Sequence, residues 1–126
     1  MAVSHSACFI TFNMHGYNQG VEYLKDLCTY GDVICIQEHW LYPGDLHLLN
    51  EIDNEFVCFS CSAMNDTVKK GVMFGRLFGG VAILVRTALA VHTKLIHKSD
   101  RFFIIQYFDT LIVNVYMPSK SVKKLH

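Results

Sequence analysis

Residues 33–42 read VICIQEHWLY. Val33, Ile34, Cys35 and Ile36 form a short unbroken apolar run, the pattern of a strand buried on both faces, and it stops abruptly on Gln37, Glu38 and His39. Upstream, ACFITF (residues 7–12) is a second such run, closed by the turn formers of NMHGYNQG. Between the two, Val21, Leu24, Leu27 and Cys28 recur at helical spacing, with Glu22, Lys25, Asp26 and Thr29 on the other face. Asn18 is placed to cap the start of this helix and Gly31 its end. Strand, helix and strand within about 30 residues make a βαβ unit. Its right-handed crossover brings both strand C-termini to one edge of the sheet. Asn13 and Glu38 therefore become neighbours, on the edge where open α/β sheets commonly bind ligands.

Beyond this unit, a short helix is expected from near Asp45, carrying Leu46, Leu49 and Ile52 inward. Strands follow at FVCFSC, GGVAILVR, AVHTKLI, RFFIIQYF and LIVNVYM. The last two flank only Asp109 and Thr110, which predicts a hairpin, and Pro118 ends the final strand.

With 126 residues, 52% of them hydrophobic, and no repeat or linker, the chain is expected to form one unit, 1–126, with a real core. Eleven basic and eleven acidic residues cancel, which removes any global field for nucleic acid. The N-terminus has no basic, apolar leader pattern, and FGGVAILV falls far short of the roughly 20 residues of a membrane span. An intracellular chain, nuclear or cytoplasmic and without a membrane partner, is the expectation. Five cysteines, three of them inside apolar runs, read as reduced, buried thiols.

Several groups invite a chemical reading. The Glu38 carboxylate beside the Asn13 amide is a hard-oxygen pair suited to Mg2+, which keeps several waters and takes one or two protein ligands. A strand that simply ends in water explains the same residues. Cys58-x-x-Cys61 with His5-x-x-Cys8 suggests zinc, but residues three apart on a strand point to opposite faces. GRLFGGVAIL is neither a phosphate loop nor a dinucleotide fingerprint, and Gly79 and Gly80 suit a turn or the close approach of another backbone. Asn114 and Tyr116 share one face of the last strand, where a tyrosine is ordinarily core. Lys120, Lys123 and Lys124 suit a phosphate contact or an exposed surface equally. His15 can be a turn residue, a ligand or a general base.

ITFNMHG, DVICIQEHWL, GGVAILVR and LIVNVYMPS, in that order, resemble the endonuclease/exonuclease/phosphatase superfamily, and most of all the apurinic-endonuclease-like domain of non-LTR retrotransposons. The resemblance implies an α/β fold, a four-layer sandwich of two packed mixed β-sheets flanked by helices. It also implies metal-dependent phosphodiester hydrolysis, with DNA the partner of the full-length domain. Asn13 and Glu38 correspond to metal-site residues, for Mg2+ or Mn2+ in its place, and Tyr116 to the tyrosine that positions the phosphate. His15 departs from the family pattern, in which Asn or Asp is common. The Asp-x-Asn and Ser-Asp-His motifs of the family do not follow Tyr116, so the sequence reads as a truncated, N-terminal part of the domain, expected to be inactive alone. A non-catalytic retroelement remnant or interaction module is the alternative, and a phosphatase or phospholipase parent a further rival. Half of a sandwich leaves apolar strand surface open, which predicts self-association.

Overall fold

A computed structural model describes residues 6–64 and 77–117 of the chain. The βαβ unit forms as β1 (Phe9–Asn13), α1 (Tyr17–Leu27) and β2 (Val33–Gln37). A 3-10 turn at Pro43–Asp45 leads into one turn of helix, α2 (His47–Asn50), and then β3 (Phe56–Cys61). β4 (Val81–Arg86) and a helical turn, α3 (Thr87–Ala90), precede β5 (Thr93–Lys98), β6 (Phe102–Tyr107) and β7 (Thr110–Val115). The first sheet runs β1-β2-β4-β3, with β1 parallel to β2 and β4 antiparallel to both of its neighbours. The second is the antiparallel meander β5-β6-β7.

Two apolar clusters sort the layers. Leu24 and Leu27 of α1, Cys28 just after it and Leu49 of α2 pack on Ile34, Ile36, Ala82 and Leu84. Alternate residues of the same strands, Val33, Val81, Ile83 and Val85, face Phe103 and Ile105 of the second sheet. β2 and β4 are thus buried on both faces, as their unbroken apolar runs require. The expected pair of packed sheets is present, mixed in the first sheet and wholly antiparallel in the second. The outer face of β7 shows exposed Leu111, Val113 and Val115. No helix among the described residues is long and apolar enough to cross a membrane.

Some expectations need correcting. β1 is an edge strand rather than one buried on both faces, and Phe9 is 50% exposed. Helix α1 starts after Gly16 with no side-chain cap, so Asn18 lies inside its first turn. The β6–β7 turn is Phe108–Asp109, one residue earlier than expected, with Phe108 at φ 54°. Pro118 lies outside the described residues.

The two sheets are joined by a polar link as well as by apolar packing. Asn114, 2% exposed, donates through Nδ2 to the Ile36 carbonyl at 3.0 Å and the Ala82 carbonyl at 2.8 Å. Its Oδ1 accepts from Gln37 Nε2 at 2.8 Å. Three hydrogen bonds at about 1 kcal/mol each predict that Asn114→Ala costs about 3 kcal/mol in urea unfolding. The isosteric Asn114→Asp, which sets an acceptor against two carbonyl oxygens, is expected to cost more at pH 7 and to recover in part on acidification.

Candidate functional site

The register of β1 and β2 pairs Asn13 with Gln37, so the next residue, Glu38, stands beside Asn13 at the C-terminal edge. Asn13 Nδ2 donates to Glu38 Oε2 at 3.3 Å, while Asn13 Oδ1 accepts from the His15 amide at 3.1 Å. Trp40 Nε1 donates to the other carboxylate oxygen, Oε1, at 2.9 Å. Tyr116, the residue after β7 of the second sheet, lies close enough to Glu38 for hydroxyl and carboxylate to shift one another's pKa. The two sheets therefore meet at one carboxylate, and all three residues expected at the site are brought together.

Partial burial pushes the Glu38 carboxyl upward, but the donors Trp40, Asn13 and Tyr116, with His15 nearby, outweigh it and hold the group below its ordinary value. Glu38 is thus a carboxylate at neutral pH. The Tyr116 hydroxyl is shifted up, by burial first and then by the charge and hydrogen bond of Glu38, so it remains a donor. A carboxylate and an amide oxygen with a second lone pair are hard donors. Among the described residues no three His, Cys, Asp or Glu side chains gather.

The backbone beneath these groups is unusual. Glu38 and Trp40 take φ of 60° and 61°, and His15 takes 54°, in the left-handed region that most side chains avoid. The segment is stitched on both sides. Gly16 and Tyr17 donate to the carbonyls of Glu38 and His39 at 2.8 and 2.9 Å. Glu38 and Trp40 donate to the carbonyls of Gly80 and Gly79 at 2.8 and 2.9 Å. Close backbone approach at Gly79 and Gly80 is therefore real, and Gly80 has a second duty: a Cβ there would overlap the His39 ring.

His39, which has no role in the family resemblance, proves to be the anchor of this segment. It is fully buried, its Nε2 donates to the Cys61 carbonyl at 3.0 Å, and its Nδ1 accepts from the Leu41 amide at 2.9 Å. Burial lowers its pKa to about 4, so the ring is neutral at pH 7. Trp40 and His39 were unassigned from the sequence. Their signal was only that two rings flank a turn beside a carboxylate.

The zinc reading does not assemble. Cys58 packs toward the helix-side cluster and Cys61 toward the inter-sheet cluster. His5, Gly75, Lys120, Lys123 and Lys124 fall outside the described residues. All five cysteines are free, and burial raises Cys28 and Cys35 to about 11 and Cys58 to about 12. His15 is exposed and its ring lies 5.1 Å from Trp40, at 52°. A cavity of about 610 Å³ beside Phe9, Tyr107 and Phe108 lies near the start of β1, at the opposite end from Asn13 and Glu38.

The profile of the Endonuclease/Exonuclease/phosphatase family matches residues 10–118. No curated protein sequence matches the chain. Among solved structures, the fold is similar to that of the 3′ phosphatase NExo from Neisseria, solved with a product DNA hairpin, at 15% identity and a TM-score of 0.62. That match covers 88% of this chain and 41% of the other. An AP endonuclease from Leishmania major aligns at 15% identity and 0.57, over 86% of this chain and 39% of that one. One from Archaeoglobus fulgidus aligns at 16% and 0.55, over 86% and 40%. The chain thus spans about two fifths of the solved structures it matches.

The buried imidazole makes stability pH-dependent. In the unfolded chain His39 takes its proton near pH 6.5, but in the folded chain only near 4. The unfolded state therefore binds the proton first as pH falls. Stability from this group is intact above about pH 6.5 and is lost toward pH 4, at about 1.4 kcal/mol per unit. His39→Gln is expected to remove that slope from the urea-unfolding free energy; an unchanged slope would show that His39 does not titrate with folding.

Proposed function

The chain belongs to the endonuclease/exonuclease/phosphatase family, and from that premise we propose that it is part of a divalent-metal-dependent phosphodiesterase domain acting on DNA. The observation that carries the reading is the meeting of Asn13, Glu38 and Tyr116 at one sheet edge. Glu38 and Asn13 would hold the ion, Mg2+ or Mn2+, with two hard oxygens. Bound there, such an ion polarises a phosphoryl oxygen and stabilises charge on the departing oxygen. Trp40 fixes the carboxylate by occupying one oxygen from the side. Tyr116, kept protonated by its neighbour, offers a neutral donor that can turn from Glu38 to a phosphate oxygen.

This chain by itself is proposed to bind the ion and phosphate without efficient turnover. What supports this is that the chain spans about two fifths of the solved structures it is similar to. A second reading, a non-catalytic module that self-associates, is favoured by the exposed Leu111, Val113 and Val115 on the outer face of β7. The retroelement branch of the family remains the proposed origin, on the QEHWL stretch.

Titration calorimetry with Mg2+ separates the readings. Loss of a partner around a bound metal commonly costs about 10–100-fold in affinity, so Glu38→Gln is expected to weaken binding at least about tenfold. No Glu38-dependent ion binding, together with a defined oligomer on size exclusion, would favour the non-catalytic module. Strong plasmid nicking by this chain, abolished by Glu38→Gln, would refute its proposed incompleteness.

A further inference from the structure

The two oxygens of the Glu38 carboxylate are not equivalent. Trp40 Nε1 donates to Oε1 at 2.9 Å, whereas Asn13 Nδ2 meets Oε2 at the longer distance of 3.3 Å. Hydrogen bonds to an ionised acceptor are the strong ones, so the shorter contact holds Oε1 and leaves Oε2 the looser oxygen. Tyr116, also near this carboxylate, is the exchangeable partner in the proposed function, where its hydroxyl turns to a phosphate.

The indole that holds Oε1 is itself fixed. Gly16, at φ 95°, lies so close beneath it that a Cβ there would come within 2.5 Å of a Trp40 ring carbon. The His15 ring packs alongside, its centroid 5.1 Å from that of Trp40. The Trp40 backbone, at φ 61°, donates to the Gly79 carbonyl at 2.9 Å. Turning the indole away from Glu38 would therefore mean moving a segment that is anchored to a neighbouring loop.

Cations differ in how they use a carboxylate. Mg2+ is small, demands near-ideal octahedral geometry and keeps several waters, whereas the larger Ca2+ takes more oxygens and accepts a carboxylate through one oxygen or both. A cation that uses both oxygens competes with the indole N–H for Oε1; one that uses Oε2 alone does not. We propose that Trp40 is a positioning residue for ion choice: by holding Oε1 it leaves Glu38 a single-oxygen contact, which favours Mg2+ over Ca2+. The inference rests on the reading of Glu38 as an ion ligand, and assigns discrimination between ions to a side chain that is not itself a ligand.

Calorimetric titration of the wild-type chain and Trp40→Phe with Mg2+ and with Ca2+ tests this. Phenylalanine keeps an aromatic ring over Gly16 and removes the donor, and circular dichroism checks that the variant is folded. Loss of a group that orients a metal ligand commonly costs about 10–100-fold in affinity, so Mg2+ binding is expected to weaken at least about tenfold. Ca2+ binding is expected to stay unchanged or tighten, whereas a merely structural defect would weaken both ions together. Trp40 is the one tryptophan of the chain, so a single indole N–H resonance reports on the hydrogen bond, and it is expected to move in Glu38→Gln. A resonance that Glu38→Gln leaves in place, or a ratio of Mg2+ to Ca2+ affinity that folded Trp40→Phe leaves unchanged, would overturn the proposal. If Mg2+ binding still depends on Glu38 in that case, the metal reading stands without it. If Glu38→Gln leaves Mg2+ binding unchanged, the metal reading itself falls and takes the proposal with it.

Discussion

The amide of Asn114 ties the second sheet to the two central strands of the first. Apolar packing between Val33, Val81, Ile83, Val85, Phe103 and Ile105 pulls the sheets together, but it is non-directional and tolerates sliding. Hydrogen bonds from Asn114 to the carbonyls of Ile36 and Ala82, and from Gln37 to Asn114, fix one register. Strand alternation does the rest: Tyr116, two residues on, falls on the same face and reaches Glu38. The carboxylate site is thus a product of inter-sheet register, and of β1–β2 register on its other side.

The edge itself stands close to energetic balance. Two non-glycine residues in the left-handed region, Glu38 and Trp40, cost on the order of 1–3 kcal/mol each. Four backbone hydrogen bonds to the flanking loops contribute about 0.5–1.5 kcal/mol each, so neither sum dominates. His39 tips the balance, because its neutral ring fills the space above Gly80 and satisfies both nitrogens. Strain that persists only because its surroundings over-determine it is common where side chains must be aimed rather than merely packed.

Much of this was legible in the sequence where a single period governs. The apolar runs at Val33–Ile36 and Val81–Val85 located strands, the first of them read as buried on both faces, and the βαβ rule then made Asn13 and Glu38 neighbours without any further information. Edge position was not legible: ACFITF looks as buried as DVICIQ, and only the strand order leaves Phe9 half exposed. His39 was hidden for a related reason, since polar residues at a strand end look solvated until Cys61 and Gly80, 22 and more residues away, close over them. The alternation that put Asn114 and Tyr116 on one face was readable, whereas the partners of Asn114 depend on contacts 32 to 78 residues apart.

Trp40 couples the two halves of the edge. Its indole N–H holds one oxygen of Glu38, and the same rigid ring lines a neighbouring cavity. Gly16 lies directly under that ring, with no room for a side chain, and His15 packs beside it, so the indole has little freedom to adjust to a ligand independently of the carboxylate. Anything that engages Glu38 therefore acts on the Trp40 ring as well. A tryptophan two residues beyond the carboxylate, held by positive φ in a doubly stitched segment, is the physical means by which the carboxylate keeps its aim.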